Sequence, residues 1–162
     1  MNKGIIFDLD GTLWDSSKQV VDAFNTALEH VDDIDYKITI EAMQSAMGKQ
    51  LPEIADIYFP NVSKERRMEI IKICCDEEQA YLEQHGGNLY PQLESVLQSL
   101  IQKGYELFIV SNCQAGYIES FYAYHKLDKY FKDYENPGRT GLSKGENIKL
   151  IIERNHLEKA FM

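Results

Sequence analysis

The chain alternates between two patterns of apolar residues. Gly4, Ile5, Ile6 and Phe7 form a short unbroken apolar run closed by a turn signal, the signature of a buried parallel strand. Val20, Val21, Phe24, Ala27, Leu28 and Val31 then recur at helical spacing, with Ser16 or Ser17 available as the cap and Asp32, Asp33 and Asp35 marking the end. Thr39 to Ala46, Leu51 to Tyr58 and Lys64 to Glu83 read as further helices, and His85-Gly86-Gly87-Asn88 breaks the series. No strand is expected within this block.

The pattern changes at Tyr90-Pro91. Pro91 can open a helix with Leu93, Val96, Leu97, Leu100 and Ile101 on its core face, and Gly104 stands where a C-cap glycine belongs. Glu106 to Asn112 follows as an apolar strand with a polar end, completing half of a strand–helix–strand unit. A helix over Tyr117–Tyr124, a short strand over Tyr130–Tyr134 and a last helix are expected after it. That last helix is announced by the capping box Ser143-Lys144-Gly145-Glu146, with Ile148, Ile151 and Ile152 on its inner face. The tyrosines of 117–134 are expected to be packing and rim residues.

Length and charge narrow the picture. The 162 residues suit one domain, or a core with a smaller insertion. A formal charge of −9 argues against a nucleic-acid backbone or an anionic membrane as the main partner. No apolar run has the length of a leader or a membrane span, so a cytoplasmic location is expected. Cys74, Cys75 and Cys113 make neither a disulfide framework nor a zinc spacing.

The candidate chemistry begins where the first strand ends, in Asp8-Leu9-Asp10-Gly11-Thr12. If strand geometry persists, Asp8 and Asp10 share one side, and two like charges that close resist ionising together unless a cation or a proton offsets them. An Asp-Gly turn at a solvated strand end is the simpler alternative. Lys144 falls in the first turn of the last helix, where a cation is unfavourable against the helix dipole while free N–H groups welcome an anion. It is either a solvent-facing lysine or one held near a phosphate or carboxylate.

Together these pieces resemble the haloacid dehalogenase-like hydrolase superfamily, in its phosphatase branch with a small helical cap, where phosphoglycolate phosphatases and beta-phosphoglucomutases also fall. Asp8-Leu9-Asp10-Gly11-Thr12 matches the first family motif, Val110-Ser111-Asn112 the second and Lys144 the third. The resemblance implies a doubly wound, Rossmann-like parallel α/β sheet made by residues 1–14 and 89–162, with 15–88 inserted as an α-helical cap. Asp8 would be the nucleophile that forms an aspartyl phosphate, and Asp10 the general acid and then base, roles that chemical reasoning supports independently. Gly11, Thr12, Ser111, Asn112 and Lys144 would hold the phosphoryl oxygens. Mg²⁺ would be ligated by the Asp8 side chain and the Asp10 backbone carbonyl.

The expected substrate is a small-molecule phosphate monoester. Alternatives are a phosphomutase of the same superfamily and a non-catalytic remnant that binds a phosphorylated ligand or a partner. Met47-Gly48-Lys49 reads either as a specificity loop closing over the phosphate site or as a plain helix connection. Gln92 stands where many relatives carry glycine after the proline. A fourth family motif, a strand ending in Gly-Asp that completes the magnesium site, has no match, and Ala160-Phe161-Met162 looks like that strand beginning. The core is therefore expected to be incomplete at its C-terminal end, with weak Mg²⁺ binding, little turnover and self-association through the exposed edge of the first strand.

Overall fold

The computed structural model describes residues 2–162. Its main sheet has four parallel strands in the order β5-β4-β1-β6, formed by β1 (Lys3–Phe7), β4 (Tyr105–Val110), β5 (Asp133–Glu135) and β6 (Lys159–Phe161). β1 pairs with β4 along its whole length, from Lys3↔Tyr105 to Phe7↔Ile109. On its other side β6 covers the first three residues, through Lys3↔Lys159, Gly4↔Ala160 and Ile5↔Phe161. The strand expected to begin near Ala160 is thus formed, and beyond Ile5 the first strand is paired on one side only.

Successive residues of a strand face opposite ways, and both faces of this sheet are covered. Ile6, Phe108 and Val110 pack with Ile151 and Leu157 under α8 (Lys144–Arg154). Leu107 and Ile109 join the larger core on the other face, with Leu97 of α5 (Leu93–Gln102) and Ile118 and Phe121 of α6 (Tyr117–His125). This is a doubly wound α/β arrangement.

Between β2 (Trp14–Asp15) and β3 (Asn88–Leu89) run four helices: α1 (Ser17–Leu28), α2 (Ile40–Ala46), α3 (Leu51–Tyr58) and α4 (Lys64–His85). β2 and β3 form a two-residue antiparallel ladder, and Tyr90 N–H donates to the Leu13 carbonyl at 3.3 Å, so the two ends of the helical stretch are tied together beside the sheet. Gly86 makes the return possible. Its φ of +63° is in the left-handed region, and a Cβ there would lie 2.2 Å from the Tyr124 ring.

Several boundaries differ from the pattern. Pro91 does not open α5: Gln92 adopts φ +62° and starts the helix itself, so the proline stays in the preceding turn. A non-glycine residue in this conformation is strained by its Cβ. Val96 and Ile101 are 47% and 41% exposed, because a ten-residue helix lying on one strand buries only the stripe of Leu93, Leu97 and, in part, Leu100. The segment expected as a strand over 130–134 splits into a 3₁₀ turn at Asp128–Tyr130 and β5 at Asp133–Glu135. α1 ends at Leu28, and Val31 is buried from the turn that follows. α7 (Pro137–Thr140) is a single turn that leads into α8. No helix among the described residues is long and apolar enough to cross a membrane.

Candidate active site

The C-terminal ends of β1 and β4 open toward the N-terminus of α8 and the tips of the helices between β2 and β3. β1 stops at Phe7, and the next five residues wrap into a tight loop: Gly11 N–H donates to the Trp14 carbonyl at 3.0 Å, and Leu13 N–H and Thr12 N–H to that of Leu9 at 2.9 and 3.2 Å. Gly11 has φ +74°, which admits this turn without a Cβ clash. Once the strand ends, the period of two no longer governs direction. Asp8 and Asp10 therefore meet different partners.

Asp8 faces α8. The capping box of Ser143 and Glu146 sets the start of that helix, with Ser143 Oγ accepting from Glu146 N–H at 3.3 Å and Glu146 accepting from Ser143 N–H at 2.8 Å. Lys144, the first helical residue, reaches back so that its Nζ lies 2.5 Å from Asp8 Oδ2, with both side chains partly buried. The other carboxylate oxygen accepts Leu9 N–H at 2.8 Å. Lys144 is accordingly not a solvent-facing lysine but one held against a carboxylate.

Asp10 turns the other way, into the interior. Its Oδ1 accepts three hydrogen bonds, from Trp14 Nε1 at 2.8 Å, Tyr117 OH at 2.8 Å and Ser16 Oγ at 3.0 Å. Ser16 donates its hydroxyl proton here and lies 2.8 Å from the Tyr117 oxygen, so it precedes α1 without a side-chain capping bond. Burial raises the Asp10 carboxyl above its ordinary range; the three donors pull the other way, and the nearby Asp8 charge adds to the rise. The backbone hydrogen bonds of the 9–14 loop fall on Leu9 and Trp14 and leave the Asp10 carbonyl unused.

Ser111 and Asn112 follow β4 directly. Ser111 is buried, with its N–H donating to the Glu135 carbonyl at 3.3 Å. Asn112 donates from Nδ2 to the Gly48 carbonyl at 2.9 Å, while its Oδ1 is buried without a partner. The Met47-Gly48-Lys49 segment is therefore held against the end of β4, with Gly48 at φ +80° and Lys49 half-buried. The amides of Gly11 and Thr12 are consumed inside their own loop, and both residues are exposed.

A cavity of about 70 Å³ lies beside Asp10, between the sheet end and the helices. Asp10, Ser17, Glu78, Asn112, Gln114 and Lys49 supply its polar wall, and Val20, Phe24 and Met43 part of its apolar one. Sequence reasoning passed over Glu78. It sits on the buried stripe of α4 with Ile70, Cys74 and Leu82, and accepts from Gln114 Nε2 at 2.5 Å. Burial pushes its carboxyl up to about 8, the Gln114 bond opposing and the Asp10 charge assisting. A lone acid at helical spacing among apolar residues was the available signal. Trp14 and Tyr117 carried none, since aromatic residues at such spacing are ordinarily core.

The sheet and its chemistry define a class: a doubly wound parallel α/β protein with paired acids at the carboxyl end of a central strand, opposed by a lysine from a later helix. Residues 5–160 match the haloacid dehalogenase-like hydrolase family, and the chain belongs to it. It is 31% identical over 144 residues to a phosphoglycolate phosphatase from Aliivibrio fischeri, a match covering 81% of this chain and 60% of that protein. Among solved structures, a haloacid dehalogenase-like hydrolase from Bacteroides fragilis superposes with a TM-score of 0.80 at 24% identity, over 97% of this chain and 74% of that one. A beta-phosphoglucomutase from Clostridium difficile does so at 0.74 and 15% identity, over 97% and 72%. The two structural likenesses speak for the fold.

Proposed function

We propose that the chain carries the catalytic acids of a phosphatase for small-molecule phosphate monoesters, with residues 15–88 acting as a cap over a core made of 1–14 and 89–162. One observation carries this reading: two carboxyls two residues apart meet different partners, Asp8 a lysine and Asp10, half-buried, three neutral donors. Lys144 stands against the carboxylate placed to attack, and desolvation favours in Asp10 the protonated form that a general acid needs. The phosphoglycolate phosphatase named above supports the choice of reaction.

In the first step an Asp8 oxygen forms a bond to phosphorus as the ester oxygen leaves, taking the proton of Asp10. In the second, water attacks the phosphorus of the aspartyl phosphate and loses a proton to the Asp10 carboxylate. The bond from phosphorus to Asp8 breaks, releasing inorganic phosphate. Lys144 is the cation held against the attacking carboxylate, and Ser111 and Asn112 follow the neighbouring strand end, where phosphoryl oxygens need donors. The unused Oδ1 of Asn112 marks a polar position without a protein partner.

The donor set suits Mg²⁺ at the sparse end of its range. The Asp8 carboxylate and the free Asp10 carbonyl would hold it, with water and phosphate oxygens completing an octahedron. Bound there, the ion would neutralise charge developing on the transferring group. No cluster of three His, Cys, Asp or Glu side chains exists among the described residues to strengthen that site. This favours, as a second reading, a chain that binds a phosphorylated ligand with little turnover. Phosphate release from a panel of esters, with and without Mg²⁺, separates the two: Mg²⁺-dependent release abolished by Asp8→Asn supports the phosphatase, and ester binding without release supports the second. The reading assigns the chain to the cytoplasm and leaves it able to self-associate through the uncovered half of β1, beyond Ile5.

A further inference from the structure

The helices of residues 17–85 meet the sheet along a seam whose two ends are closed differently. At the base, the β2–β3 ladder and the backbone bond from Tyr90 to Leu13 tie the two parts together, and none of these groups titrates. At the tips, two side-chain amides from the loop after β4 cross the seam: Asn112 Nδ2 donates to the Gly48 carbonyl at 2.9 Å, and Gln114 Nε2 to Glu78 Oε2 at 2.5 Å. The ion pairs that these helices make, from Lys18–Asp22 to Lys72–Asp76, are internal to them. The tips are also hollow. Gln114 borders the cavity beside Asp10 and two outer clefts of about 260 and 380 Å³, where Leu51 and Met68 line the helical side and Gly138 the sheet side.

We propose that Glu78 and Gln114 form a proton-operated latch: while Glu78 holds its proton the helices stay closed on the sheet end, and when it ionises they part at the tips and admit water to the cavity beside Asp10. The inference stands apart from the phosphatase reading and requires no turnover. Glu78 is 5% exposed, and a carboxylate so withdrawn from water needs either a counter-charge or a return to water. The titratable groups that interact with it are Asp10 after β1, Tyr58 of α3, Cys74 and Cys75 of α4, Cys113 after β4 and Tyr117 of α6, all acids, thiols or phenols. α1 and α2 bring only uncharged residues to the cavity, Ser17 and Met43 among them. Lys49 lines the same cavity from the Gly48 turn, and Lys72, in an outer cleft, is paired with Asp76. Burial sets the balance and pushes the Glu78 carboxyl up to about 8. Water can reach it through a tilt of the helices, because the clefts on either side of Gln114 leave little packing to break there. A proton held in the closed form and lost in the open one makes opening about tenfold easier per pH unit between the ordinary 4.5 and 8, with no further gain above 8.

The cysteines supply the test. Cys75 on α4 and Cys113 after β4 stand on opposite sides of the seam and line the cavity, whereas Cys74 is fully buried and lines neither the cavity nor the two clefts. The full chain is labelled with methyl methanethiosulfonate, each thiol is followed by mass spectrometry, and each rate is divided by that of a free thiol at the same pH. The corrected rate at Cys75 and Cys113 should rise about fifty-fold from pH 6 to 8 and only about twofold more by pH 9. Cys74, reached only when the chain unfolds as a whole, should label at least about tenfold more slowly throughout. Glu78→Gln keeps an amide partner for Gln114 and should abolish the rise. Gln114→Ala removes the other half of the latch and should speed labelling of both seam thiols about tenfold already at pH 6. All three thiols reacting at one rate would mean unfolding of the whole chain and would overturn the latch. A corrected rate at the seam thiols that ignores pH would overturn it too, and would mean that Lys49 meets the ionised carboxyl inside a closed seam. An undiminished rise in Glu78→Gln, or no gain in Gln114→Ala, would do the same by taking these two residues out of the opening.

Discussion

The two sides of the site solve the same electrostatic problem in different ways. At the α8 side, Asp8 remains partly exposed and is met by the Lys144 ammonium at 2.5 Å, a charge neutralised by a charge. At the helical side Glu78 is buried and Asp10 half-buried, and each is hydrogen-bonded by neutral donors: Trp14, Ser16 and Tyr117 for Asp10, Gln114 for Glu78. An acid withdrawn from water without a counter-charge shifts toward its protonated form, as Asp10 and Glu78 do. The two acids are thus separated by where each side chain is sent, although both belong to one short loop; the proposed mechanism uses the first as nucleophile and the second as proton donor.

The comparison breaks most severely if the partner of Lys144 is removed. Asp8→Asn keeps the shape of the site and removes the attacking oxygen, so turnover in steady-state phosphate release should fall by about four orders of magnitude or more. Turnover within tenfold of the unmodified chain would mean that another group attacks phosphorus. Next is the buried partner. Asp10→Asn should cost roughly 10²–10⁴-fold with alkyl phosphates and much less with an activated aryl phosphate, whose leaving oxygen needs no proton. Equal losses across a leaving-group series would remove the acid role from Asp10.

Glu78 sharpens the contrast through stability. Its carboxyl stands at about 8 in the fold against an ordinary 4.5. The folded chain therefore holds a proton that the unfolded chain has lost, and stability falls as pH rises from 4.5 to 8, the full penalty applying above 8. At about 1.4 kcal/mol per unit the penalty is of the order of a few kcal/mol. Glu78→Gln keeps the shape and removes the titration, so urea unfolding at pH 8 should show a more stable chain, with the gap between the two proteins closing toward pH 4.5. A constant gap across that range would mean that Glu78 does not titrate as its burial demands.

The smallest change concerns Tyr117. Its hydroxyl lowers the Asp10 pKa, against the larger effect of burial. Tyr117→Phe deletes one of three donors, worth about 1 kcal/mol, so the Asp10 limb of the pH–rate profile should move upward by a little under one pH unit. A downward shift would show that the phenol stabilises the protonated acid instead.

Much of this arrangement could be read along the chain. The apolar run before Asp8, the helical spacing from Val20 onward and the capping box at Ser143 each depend on contacts within a few residues, and each formed the element its pattern implied. The placing of Lys144 at the first position of α8 likewise followed from the box. The errors fell where neighbours distant in sequence decide. Val96 and Ile101 fit a helical stripe yet stay exposed, because α5 lies against a single strand. Ser16 looked like a helix cap, and gives its hydroxyl proton instead to Asp10, beside the Tyr117 hydroxyl from 101 residues away.

The same division runs through the chemistry. The sequence by itself determined that two acids stand at the end of a buried strand, with a lysine at the start of a late helix, because residue identity and local periodicity are written in order along the chain. Only the tertiary structure decided which acid meets the lysine, which turns to neutral donors, and that Glu78, Ser17 and Lys49 come to line one pocket. The ionisation of a carboxyl depends on the dielectric and the charges within a few ångströms of it. Around Asp10 and Glu78 that surrounding is assembled from α1, α3, α4, α6 and the loop after β4, segments that folding brings together across more than a hundred residues.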